Sequence, residues 1–127
     1  MKTFLSTLSL ALLIPAAAQA AEECNKYHTS YDKTYCMAKL FFESDNEMNT
    51  SYKELRGFIN DATKRQLKET QLNWIKYRND ACESDGLIDV DCNYRVNQSR
   101  AEFLRDRARE CKAGTCRNEM IVEKSWD

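Results

Sequence analysis

From about Ser30 the positions Met37, Phe41, Ser44, Met48, Tyr52, Leu55 and Ile59 recur at three- and four-residue steps, while Glu43, Glu47, Lys53, Glu54 and Arg56 fill the rest of the wheel. That spacing predicts a long amphipathic helix. Asn60, Asp61 and Thr63 then offer side-chain oxygens to free helix amides, which predicts a break and a second helix running to about Glu83. Its stripe of Leu67, Gln71, Trp74, Arg78 and Ala81 mixes large apolar groups with an amide and a guanidinium. An ordinary amphipathic helix keeps such groups wet, because burying them unpartnered costs about 1–3 kcal/mol. Ser84 to Val90, containing Gly86, reads as a loop. A third helix is expected from Asp91, with Cys92, Val96, Arg100, Phe103, Leu104, Arg107 and Cys111 on a broad inner face and Gly114 as its stop. Residues 21–29 read as an irregular polar arm, and a short tail carries Cys116 and Trp126. Strand-like alternation is absent. The fold class is therefore all-α, a small antiparallel bundle of three main helices forming a single domain over residues 21–127.

The first twenty residues have a different character. Lys2, the apolar run Leu8 to Ile14 and the triplet Ala18, Gln19, Ala20 have the form of a cleaved signal peptide, with cleavage expected before Ala21. The apolar run is shorter than the roughly 18 residues of a membrane span. Cys24 is separated from the expected cleavage point by Ala21, Glu22 and Glu23, so no lipid anchor is expected, and the localisation implied is periplasmic or secreted. Six cysteines in a short exported chain point to three disulfides among Cys24, Cys36, Cys82, Cys92, Cys111 and Cys116. Residue 59 is the midpoint of Cys36 and Cys82. A hairpin folded there brings both to one pole, where Cys92 and the arm bearing Cys24 also fall. Three pairings of these four are possible. Cys36 with Cys82 and Cys24 with Cys92 is preferred, and Cys111 with Cys116 forms a local clasp.

The formal charge is −1, and losing Lys2 with the signal leaves −2, so no strong field favours nucleic acid or an anionic membrane. Oxidised cysteines and a single histidine, His28, do not supply a zinc site. The acidic residues near Gly86 lack calcium-loop spacing. No paired nucleophile and base, and no glycine-rich phosphate loop, is readable. No catalytic residue, metal or cofactor is expected. Arg95, Arg100, Arg105, Arg107 and Arg109 alternate with Glu102, Asp106 and Glu110, the pattern of a solvated, salt-bridged helix more than of an anion-binding face.

Taken jointly, Asp45, Asn49, Tyr52 and Leu55 on the first helix, Leu67, Gln71, Trp74, Arg78 and Cys82 on the second, and Cys92, Arg100 and Leu104 on the third resemble the LprI-type lysozyme-inhibitor domain family. The resemblance spans about Cys24 to Leu104, with Cys111 and Cys116 as an extra tail. Met48, Asn79 and Asn97 stand where that family's pattern has leucine, aspartate and often threonine. The resemblance implies a helical exported binding domain without catalytic residues. On the residues' own chemistry, Asp45, Asn49, Tyr52, Gln71, Trp74 and Arg78 form a structural network that fixes helix register across the hairpin.

The candidate partner-binding residues are Glu83, Asp85, Leu87, Ile88, Asp89 and Asp91, carboxylates around an apolar Leu87–Ile88 tip bracketed by Cys82 and Cys92. A loop held in shape loses little entropy on binding, and its charge would steer it towards a basic lysozyme. The plainer reading is a solvated loop that caps the third helix. The function expected is lysozyme inhibition by occlusion of the enzyme's cleft. The alternative is a periplasmic envelope protein-interaction module without lysozyme activity, and a hydrolase has least support.

Overall fold

The computed structural model describes residues 16–124 and Trp126, with side chains described from Ala20 onward. Lys2 and the Leu8–Ile14 run lie outside them. Helix α1 covers Ala16–Cys24, so the start of the expected irregular arm is helical, and the chain turns through residues 25–29. Thr29 caps α2, Ser30–Arg56, by accepting from the Asp32 amide. The helix stops at Arg56, before Ile59, which stays buried in the link. Asn60 Oδ1 accepts from the Thr63 amide at 2.9 Å and starts α3, Asp61–Cys82, where the cap residues place it.

The segment after Cys82 is not an irregular loop. β1, Glu83–Ser84, pairs antiparallel with β2, Leu87–Ile88, in the register Glu83 with Ile88 and Ser84 with Leu87. Asp85 and Gly86 both take positive φ, 53° and 73°, as a two-residue type I′ hairpin turn requires. The Asp89 amide donates to the Cys82 carbonyl and closes the hairpin's base. Asp89 then caps α4, Val90–Lys112, by accepting from the Cys92 amide at 3.0 Å. Gly114, at φ 83°, ends that chain segment: its amide donates to Cys111 O and that of Thr115 to Glu110 O, the paired bonds of a Schellman motif. A short α5, Asn118–Ile121, returns Ile121 to the core.

Contacts of residues 45 with 78 and 48 with 71 make α2 and α3 antiparallel, and those of 78 with 97 and 71 with 100 do the same for α3 and α4. Helices α2 and α4 consequently run side by side in the same direction. The main core contains Met48, Leu55, Leu67, Trp74, Ala101, Leu104 and Ile121; a smaller cluster of Cys24, Met37 and Tyr94 fills the opposite end. The buried residues of α4 are Asn93, Tyr94, Asn97, Arg100, Ala101, Leu104 and Ala108. Val96, Phe103, Arg107 and Cys111 from the expected inner face are only half-buried. Ala101 and Ala108 have little bulk, so α4 approaches its neighbours along the small residues and turns the larger ones to the flanks.

Cys111 pairs with Cys116 as expected. The other two bridges are Cys24–Cys36 and Cys82–Cys92, which overturns the preferred Cys36–Cys82 and Cys24–Cys92 pairing. The midpoint argument locates an end of the bundle, but it does not say which side of each helix a thiol occupies. The hairpin brings the Cα atoms of Cys82 and Cys92 to 5.4 Å, and the turn after α1 brings those of Cys24 and Cys36 to 5.6 Å. Each bridge thus closes a connection between consecutive helices.

Candidate functional site

Two arrangements contain the residues singled out from the sequence, one between the helices and one on the surface. In the first, Arg78 of α3 lies 3.5 Å from Asp45 of α2 and donates through Nη1 to Asn97 Oδ1 of α4 at 3.1 Å. Asn97 Nδ2 in turn donates to Asp45 Oδ1 at 3.4 Å. One residue from each long helix therefore closes a triangle. Asn49 secures Asp45 from its own helix by donating to its carbonyl and carboxylate, and Asn79 accepts from Arg78 Nε and Nη2. Burial pulls the Arg78 guanidinium below its ordinary pKa, opposed by the charge of Asp45.

A layer deeper, Gln71 accepts from Arg100 Nε at 3.0 Å and donates to the Met48 sulfur at 3.4 Å. The Trp74 ring is within cation–π distance of the guanidiniums of both Arg78 and Arg100, at 5.5 and 5.8 Å. Tyr52 stands apart from this network, packed against the core with Arg56 5.8 Å from its ring centroid. Asn97 and Arg100 complete the arrangement and were absent from the expected network. Their signal was present in the spacing of Asn93, Asn97 and Arg100, which is the same polar helical stripe as Gln71 and Arg78. Arg100 is also a correction to the solvated arginine face, because it is only 4% exposed. By contrast Arg95, Arg107 and Arg109 form ion pairs with Asp91, Glu110 and Asp106 on their own helix.

The second arrangement is the hairpin. Its turn is Asp85–Gly86, so Leu87 and Ile88 form the returning strand and not the tip. They are nevertheless open to solvent, 74% and 68% exposed. The register sets Ile88 beside Glu83 on one face of the ribbon and Leu87 beside Ser84 on the other. Asp85 is exposed at the turn. Asp89 is engaged as the cap of α4, and Asp91 pairs with Arg95 at 3.0 Å. The acidic character projected outward thus comes mainly from Glu83 and Asp85. Below them the Cys82–Cys92 bridge and the Asp89 amide bond join the two ends of the segment.

His28 is exposed on the turn before α2. Among the described residues no group of three or more histidines, cysteines or acids is placed to hold a metal ion, and no helix is long and apolar enough to cross a membrane. The family model described as Lysozyme inhibitor LprI matches residues 20–122. That match extends past Leu104 and takes in Cys111 and Cys116. No curated protein and no solved structure matches the chain.

Proposed function

The chain belongs to the LprI lysozyme-inhibitor family, and from that premise we propose that it is an exported binding protein that inhibits lysozyme by seating its hairpin in or over the enzyme's cleft. The observation that carries this reading is the exposure of Leu87 and Ile88 on a ribbon fastened at its base by Cys82–Cys92. Large aliphatic groups held outward on a pre-shaped element provide a docking contact with little ordering cost. Glu83 and Asp85 beside them favour encounter with a basic enzyme. Export to the periplasm or medium is part of this proposal: the amino-terminal segment has the form of a signal peptide, and an oxidising compartment would let the disulfides persist.

Binding of a basic lysozyme to immobilised protein tests the surface. The double substitution Leu87→Asp/Ile88→Asp alters only exposed side chains, so its fold should persist by circular dichroism while affinity falls by about tenfold or more. Glu83→Gln/Asp85→Asn should slow association at low salt and leave dissociation nearly unchanged. Undiminished binding by the first variant excludes the hairpin as the contact. Complex formation without inhibition would instead favour the envelope-interaction module.

A further inference from the structure

On the face of the bundle between α3 and α4 lies a cleft of about 340 Å³, at the small end of ligand-sized pockets. Trp74 and Tyr77 wall it from α3, Phe103 and Ser99 from α4, and Trp126 of the tail from the third side. Arg100 lies among these rings, its guanidinium carbon 4.8 Å from the Phe103 centroid, 5.8 Å from Trp74 and 5.9 Å from Trp126. Its Nε is satisfied by Gln71, but Nη2 is buried and has no hydrogen-bond partner. Arg100 forms no ion pair among the described residues, and no acidic side chain lines the cleft. Burial lowers its pKa to about 10, so it remains protonated at neutral pH.

A buried cation whose only side-chain acceptor is a neutral amide leaves a donor unmade in a low-dielectric setting, and ring faces compensate only part of that cost. We propose that this cleft is a binding site for a small free carboxylate carried on an aromatic body, the carboxylate meeting Arg100 and the ring lying among Trp74, Phe103 and Trp126. A carboxylate supplies the missing charge, and because Nη2 is closed to solvent the guanidinium must turn towards the cleft to give it the missing acceptor as well. The flat walls favour a planar body over a bare anion. The site is separate from the hairpin and does not depend on the lysozyme reading.

The chain's two tryptophans, Trp74 and Trp126, both line the cleft, so intrinsic fluorescence reports on it directly. Phenylacetate titrated into the purified protein should change the emission saturably. Acetate, which lacks the ring, and phenylacetamide, which lacks the charge, should each bind about tenfold more weakly or worse, the loss expected for one charge-assisted hydrogen bond or its apolar counterpart. Ser99→Trp fills the mouth from an exposed position and should abolish the response in calorimetry while the fold is retained. Arg100→Lys, which keeps the charge but loses the fork, should weaken binding several-fold. Equal affinity for phenylacetate and phenylacetamide, unaltered binding by the Ser99→Trp variant, or no saturable heat with the unmodified protein would each overturn the proposal.

Discussion

Asn97 touches all three long helices' polar business at once: it is 0% exposed, accepts from Arg78 and donates to Asp45. Replacing it by alanine takes an acceptor from the largely buried Arg78 and opens a void where the Asn97 amide stood, so Asn97→Ala should cost about 1–3 kcal/mol in urea unfolding. Arg78→Met should cost a similar amount, about 1–3 kcal/mol, because it takes the donor from the buried Asn97 oxygen, while Asp45, more than a third exposed, can turn to water. An unchanged unfolding midpoint for Asn97→Ala would remove the triangle from the account. Gln71 and Arg78 stand out in the sequence because each interrupts a stripe that Leu67 and Trp74 otherwise make apolar, with the other charges of α3 lying off that stripe. Asn97 and Arg100 do not, because α4 is charged around much of its circumference, and an arginine that enters the core there looks like those that pair along the surface. Their three- and four-residue spacing with Asn93 is the sign the sequence carries, and the partners on other helices are what give it meaning.

Helix boundaries were readable wherever one side chain or one glycine does the capping. Asn60 begins α3 and Gly114 ends the turn after α4 through bonds that depend on local residues alone. The hairpin was not read, although Asp85–Gly86 is a strong turn signal, because strands of two residues are too short to show alternation. The disulfide partners are hidden from the sequence for a related reason, since the hairpin is what folds Cys92 back onto Cys82. At both glycines a Cβ would meet nothing within 4 Å, so substitution acts through the backbone alone. Gly114→Ala should therefore lower stability by about 1 kcal/mol, seen as a shifted melting curve. Gly86→Ala should loosen the ribbon and increase amide exchange at Ser84 and Leu87 before any global change. Removing the staple with Cys82→Ser/Cys92→Ser should cost about 2–3 kcal/mol for so short a loop and should weaken partner binding further than stability explains, because the hairpin loses its shape.

At the scale of the whole molecule, a small main core, a second cluster at the opposite end and three short-range bridges hold a three-helix bundle whose outward feature is a stapled ribbon. The all-helical class and the three main helices followed from three-to-four periodicity, because each long helix buries one stripe in the shared core. How those stripes rotate about their axes did not follow, since it is set by Ala101 and Ala108, whose smallness carries no pattern of its own. Non-reducing peptide mapping of the purified protein should recover Cys24 with Cys36, Cys82 with Cys92 and Cys111 with Cys116; a Cys36–Cys82 peptide would contradict the arrangement at the hairpin end. The most direct measurement of the functional claim is a lysis assay in which the oxidised protein is titrated against a basic lysozyme acting on cell walls. Lysis should fall in proportion to added protein and cease near equimolar ratio, and the Leu87→Asp/Ile88→Asp variant should leave it running. Full lysis in the presence of excess, correctly bridged protein would contradict the account.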